Sequence, residues 1–170
     1  SWDEIVAQVG EAAKLAPPGE WIIGRGWHQS KWNQPPTPNV EGYPTDDAIN
    51  KVTPDNPVLL THASGHMGFA NGYAMRLAGV ENETLAPSGG EILKTDTGKP
   101  TGVFRETAQS LIGRAKARDD RKKTDAESAE ELQRAIELAT EACLKNGITS
   151  FQDAGSSFEV VDQFRQLALK

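Results

Sequence analysis

The chain has 170 residues, a formal net charge of −6, three histidines and one cysteine. A chain of this length buries roughly two thirds of its unfolded surface, so no disulfide is needed to fold it, and the lone Cys143 cannot make an internal one. An acidic balance without a long basic run leaves no footprint for a phosphate backbone, and no apolar run approaches the ~18 residues that cross a bilayer, so neither nucleic acid nor membrane is expected as a partner.

The chain opens at Ser1, without a methionine, inside a helical pattern, and it reads as an internal segment of a longer protein whose targeting peptide, if it has one, lies elsewhere. Trp2, Ile5, Val6, Val9 and Ala13 predict a helix that stops before Pro17, Pro18 and Gly19. "EWIIGRGW" reads as a short strand, and "NQPPTPNVEGYPTDD" as a long, non-periodic loop of the kind that is often functional. All four tryptophans, Trp2, Trp21, Trp27 and Trp32, precede that loop.

Val58 to Leu60 predict a buried strand that delivers His62 and His66, four positions apart in "THASGHMGFAN". Two histidines so spaced can share one helix face and grip zinc, but the protease version of that motif also needs a glutamate after the first, and Ala63 stands there. Gly65 and Gly68 oppose a helix through both, since glycine costs about 1 kcal/mol per helical position relative to alanine. The stretch therefore reads as a strand end and a glycine-bearing loop, with a helix starting near Ala70 or Asn71 and ending at Gly79.

"GGEILKTDTGKPTGVF" predicts a hairpin about Asp96-Thr97-Gly98, followed by a helix from about Val103 to Ala115. The charged "RAKARDDRKKTDAE" is a solvated connector, interrupted by Asp119 and Asp120 and so no basic patch. Thr124 and Glu127 form a capping box for a helix striped with Leu132, Ala135, Ile136, Ala139, Ala142 and Cys143, closed at Gly147. Cys143 on that stripe reads as a small buried hydrophobe, with a lean to the cytoplasm. "ITSFQD" then reads as a strand ending in Asp153, and Ser156 with Glu159 as the cap of a last helix carrying Val160, Val161, Phe164 and Leu167. The last part is thus helix, strand, helix, with a carboxylate at the strand end where parallel α/β folds place their chemistry.

Four stretches, "GEWIIGRGW", "DNPVLLTHASGHMGFANGYAMRLAGV", "SGGEILKTDTGKPTGVFRETA" and "NGITSFQDAG", follow one another as in the YtcJ-like branch of the metal-dependent amidohydrolases, amidohydrolase family 3, which the chain resembles over nearly its whole length. The resemblance implies a small β-sandwich built from both termini of the parent and a TIM-type barrel carrying one or two metal ions. It implies an α/β fold class here: residues 1–123 as a mixed α+β insert after the first barrel strand, covering the barrel mouth, and residues 124–170 as a helix-strand-helix piece around the second. The family's His-x-His pair, its lysine, its two later histidines and its aspartate have no counterparts in this chain. Zinc or another divalent metal is therefore expected in the parent and none in this segment, with no catalytic residue here and Asp153 not a metal ligand.

His66 and Asn71 in "GHMGFAN" match the family's Gly-His and its following asparagine, and the resemblance places both toward the active-site mouth as substrate contacts. The plain alternatives are a loop histidine and a helix-capping asparagine. His62 has no family counterpart and reads as structural. Glu106 follows the Thr-Gly-Val as the family's carboxylate does; it also sits where the predicted helix's first turn would favour any carboxylate by roughly 0.3–1 kcal/mol. Trp27, with His28, ends a strand at the proline loop and either lines the substrate pocket or fills the core.

The function so implied is hydrolysis of a non-peptide, amide-like carbon–nitrogen bond of a small molecule by a metal-activated water, this segment shaping the pocket together with the remainder of the barrel. The alternatives are a non-catalytic ligand-binding or interaction module and an inactive scaffold member of the same family. Flanking sequence separates them, since only the enzyme requires the missing ligand set, and substrate identity is not legible in these residues.

Overall fold

Apolar residues at helical spacing form α1, Trp2–Leu15, in the computed structural model, which describes residues 1–120, 123–152 and 155–169. Ser1 caps α1 reciprocally with Glu4, and the helix stops at Ala16, ahead of Pro17. The chain divides into two units, Ser1–Asp119 and Asp120–Lys170.

The first unit is built on a five-stranded mixed sheet in the order β1-β4-β5-β7-β6. Its strands are β1 (Ile22–Trp27), β4 (Val58–His62), β5 (Met67–Ala70), β6 (Gly90–Lys94) and β7 (Pro100–Glu106). β1 runs parallel to β4, and the other neighbours are antiparallel. Successive side chains of a strand point to opposite faces, and the sheet uses this to feed two cores. Val58, Leu60, Phe69, Leu93 and Val103 face α1 and Ile49, whereas Ala70, Ile92 and Phe104 face the opposite cluster with Ala74, Met75, Ala108 and Ile112. α2 (Asp47–Val52) supplies Ile49 to the first layer; α3 (Gly72–Ala78) and α4 (Gln109–Asp120) supply the second. Trp2, Trp27 and Trp32 gather in the first layer, with Trp2 edge-on to Phe69 at 4.9 Å and Trp27 stacked on Trp32 at 6.0 Å.

Several predicted boundaries move. The helix expected from Val103 begins at Gln109, because residues up to Glu106 belong to β7, paired on both edges and buried on both faces. A continuous apolar run cannot be told from a helix by periodicity alone. Residues 67–69, read as loop, and Ala70, read as a possible helix start, form β5: Gly68 lies where a Cβ would come within 3.3 Å of Gln109 Oε1, so that glycine serves close packing and only Gly65, at φ 78°, makes the turn. A 3-10 turn (Gln29–Lys31) precedes the long proline loop, which holds a small hairpin of β2 (Asn39–Val40) and β3 (Tyr43–Pro44) and runs into α2, too short to announce itself by period.

In the second unit, Thr124 and Glu127 form the expected capping box on α5 (Asp125–Lys145). α6 (Phe158–Ala168) is capped by Ser157, one residue after the predicted Ser156. No residue of α5 or α6 is buried, and Cys143 is half-buried, not the buried hydrophobe its stripe predicts, since a stripe is covered only where another element packs on it. Residues 148–152, read as a strand, are irregular. A strand exists by pairing, and no strand of this unit offers a partner among the described residues. Among the described residues no helix is long and apolar enough to cross a membrane.

Candidate functional site

β5 and β7 leave the sheet side by side, and this brings His66 and Glu106 together. Met67 pairs with Arg105, and one step further the Glu106 N–H donates to the His66 carbonyl at 2.9 Å. The side chains meet above this bond, His66 Nδ1 to Glu106 Oε2 at 3.0 Å. Both are well exposed, 72% and 55%, so as an ion pair the contact is worth at most about 1 kcal/mol. Its interest is geometric. Glu106 sits at φ 50°, a left-handed conformation that a residue with a Cβ adopts at a cost, and such outliers gather at functional positions. Gln109 of α4 reaches over the pair's base, its side-chain amide donating to the Gly65 and Glu106 carbonyls at 3.2 and 3.3 Å. Glu106 is thus the last residue of β7 and not, as predicted, in the first turn of a helix; the dipole explanation for its carboxylate falls away.

A carboxylate on Nδ1 selects the tautomer with its proton there and turns the other ring nitrogen outward as an acceptor; protonated, the same nitrogen becomes a donor. His66 Nε2 has no partner among the described residues. The pair can therefore grip either an N–H or a carbonyl oxygen of a polar ligand.

The remaining predicted contacts lie elsewhere. Asn71 is fully buried, and its side chain is spent on the fold. Its oxygen accepts from Ala74 N at 2.9 Å as the cap of α3 and from Val58 N at 3.0 Å, while its nitrogen donates to Thr53 Oγ1 and the Asn56 carbonyl, each at 2.9 Å. Trp27 is 6% exposed, and its indole N–H donates to the Leu60 carbonyl at 3.0 Å. With Ile5, Val9, Ile22 and Trp32 it lines a groove of about 430 Å³ between α1 and β1, which includes neither His66 nor Glu106. Asp153 lies outside the described residues.

His62, read as structural, is the member of the opening histidine pair that the fold buries. It is 4% exposed, edge-on to Trp27 and tilted against His28, each ring centroid 4.6 Å away. Burial, and then the charge His28 can carry, hold its imidazole below the ordinary histidine range. The signal was present in the sequence: in "VLLTH", Val58, Leu60 and His62 share one strand face.

These residues do not fit a metal centre. Both ring nitrogens of His62 are engaged, by Ser64 and by Gln29 Oε1 at 3.0 Å, and Nδ1 of His66 is engaged by Glu106. No group of three or more His, Cys, Asp or Glu could hold an ion among the described residues.

Residues 1–169 match the model of the Amidohydrolase family. The chain is 31% identical over 156 residues to Protein LONG AFTER FAR-RED 3 of Arabidopsis thaliana, covering 92% of this chain and 24% of that protein. It is 36% identical over 117 residues to N-substituted formamide deformylase of Arthrobacter pascens, covering 69% of this chain and 20% of that one. It is 34% identical over 115 residues to putative amidohydrolase YtcJ of Bacillus subtilis, covering 68% and 21%. The chain thus spans about a quarter or less of the length of the curated relatives it matches. In fold it is similar to a metal-dependent hydrolase from Pyrococcus horikoshii, with a TM-score of 0.51 and 20% identity over 95% of this chain and 28% of that one. A second such hydrolase, from Pyrococcus furiosus, gives 0.50 and 23% over 97% and 28%. Its motifs, the family match along its length and these relatives together make the chain a member of the amidohydrolase family, in the YtcJ-like branch of amidohydrolase family 3.

Proposed function

We propose that this chain is the pocket-shaping segment of a metal-dependent hydrolase that cleaves a non-peptide, amide-like carbon–nitrogen bond of a small molecule, and that the metal ligands lie outside it. In this reading the first unit is an insert covering the mouth of a TIM-type barrel, and the second contributes helices flanking one barrel strand. Family membership and the deformylase among the relatives support the reaction class. The lone Cys143 accords with a reducing, cytoplasmic setting. The observation that carries the role of this segment is the His66–Glu106 pair, held at 3.0 Å on a strained strand end with the outer ring nitrogen turned to solvent. Glu106 fixes the imidazole, and His66 then orients the substrate by accepting from its N–H or, protonated, donating to its carbonyl oxygen. Asn71 and Trp27, first read as contacts, support the pair only as parts of the scaffold beneath it.

The test is His66→Ala in the longer hydrolase. A lost hydrogen bond to a polar substrate predicts a fall in kcat/KM of about 10- to 100-fold, corresponding to roughly 1.5–3 kcal/mol, at unchanged metal content; Glu106→Gln should give a smaller loss in the same direction. Metal loss in His66→Ala, or unchanged turnover, refutes the assignment.

A further inference from the structure

The turn that presents His66 is tied at both ends to the buried His62. β4 places His62 on the same face as Val58 and Leu60, so its ring enters the core against Trp27 and beside His28. There Nε2 lies 3.0 Å from Gln29 Oε1, and Gln29 is itself held, its amide donating to the Tyr43 hydroxyl at 3.1 Å. On the other side Nδ1 accepts the backbone N–H of Ser64 at 3.1 Å, with Ser64 Oγ 2.8 Å away. With Nδ1 accepting a backbone N–H and an acceptor oxygen facing Nε2, the ring is neutral and carries its proton on Nε2. The same Ser64 Oγ accepts the backbone N–H of His66 at 3.1 Å, and Gly65 N–H donates to the His62 carbonyl at 3.0 Å. Gly65 can close this turn because it takes φ 78°. The imidazole of His62 therefore holds Ser64, and Ser64 holds the residue whose side chain meets Glu106.

We infer that His62 is a positioning residue for His66: its neutral, buried imidazole sets the 62–66 turn through Ser64 and so aims the His66–Glu106 pair. The inference rests on the reading of His66 as the substrate-facing group. It gives separate roles to two histidines whose spacing invites a joint one. Neither ring nitrogen of His62 is free for a ligand, so its influence on a reaction passes through the turn alone.

Two replacements of His62 divide the ring's functions. Asn places its amide oxygen near the position of Nδ1 and can keep the Ser64 acceptor; Gln reaches toward Nε2 and loses it. In the 170-residue chain, amide hydrogen exchange followed by NMR should show Ser64 and His66 exchanging about tenfold faster in His62→Gln and within about twofold of wild type in His62→Asn, with Phe69 and Val103 unchanged in both. Equal protection of Ser64 in both variants overturns the inference. Should His62→Gln fail to fold, Ser64→Ala serves, since it removes only the hydroxyl. It should release the His66 amide and leave that of Ser64 protected, and the reverse pattern overturns the inference. In the longer hydrolase, His62→Gln should cost part of what His66→Ala costs and add nothing to it in the double variant, because both act through one group; additive losses overturn the positioning role. A silent His66→Ala with the exchange pattern intact sinks the substrate reading and leaves the positioning of His66 established. A costly His66→Ala with Ser64 still protected in His62→Gln does the opposite.

Discussion

A histidine and an asparagine, both polar and both buried, carry more of this structure than the exposed pair they support. His62 is held neutral, its proton affinity lowered first by burial and then by His28. The folded chain thus binds fewer protons than the unfolded chain at and below the ordinary histidine value of about 6.5, so stability rises with pH across that window. Its contribution is full above about pH 6.5 and is lost as pH falls toward the depressed folded value. The urea midpoint should drop between about pH 7.5 and about pH 5.5, and His62→Asn should remove part of that drop; a midpoint flat across the window in wild type contradicts this. The Asn71 side chain closes five hydrogen bonds at zero exposure. Asn71→Ala removes the α3 cap, worth about 1 kcal/mol, and strands the buried Val58 N–H at a further ~1–3 kcal/mol. Urea denaturation should show a loss of about 2–4 kcal/mol, and one below about 1 kcal/mol would mean that water or backbone movement replaces the bonds.

At the scale of elements, β7 decides where the site lies. Its last residue is Glu106, its register against β5 sets the His66 contact, and Lys99 at its entry binds Asp46 and Asp47 beside α2 at 3.1 and 3.2 Å. Gly102 lets β7 lie this close to its neighbour: at φ 100°, a Cβ there would fall on the Ala70 carbonyl oxygen and press on the Phe69 ring. Gly102→Ala should therefore cost more than about 3 kcal/mol through strain and displaced packing and, by shifting the β5–β7 register, disturb the His66 ring signals in NMR. A variant of wild-type stability would show that the strands can separate without loss. The capping box at Thr124, the Asn71 cap and the hairpin about Gly98 were legible because each is written in residues three or four apart. The β7–α4 boundary was not, because burial on both faces of β7 erases the alternation that marks a strand.

At the scale of the whole molecule, every buried hydrophobic residue among those described belongs to the first unit, between Trp2 and Ala115. The second unit leaves Leu138, Leu144, Phe151 and Phe158 exposed. Residues 1–119 alone should then unfold in one cooperative transition within about 5 °C of the full chain's, by calorimetry, while residues 120–170 alone should show helical circular dichroism without a cooperative transition. An unfolded 1–119 piece would mean that the first unit draws stability from beyond its own core.

The sequence by itself determined the family, the mixed α/β class, the ends of α1 and α3, the Thr124 cap and the candidacy of His66 and Glu106, since these rest on local spacing and on motifs met in order. Tertiary structure alone decided that His66 and Glu106 touch, that Asn71 and Trp27 turn inward, and that His62 is the hidden support. Those outcomes depend on which strands become neighbours and in what register, and a residue 40 positions away along the chain enters a site only through that pairing.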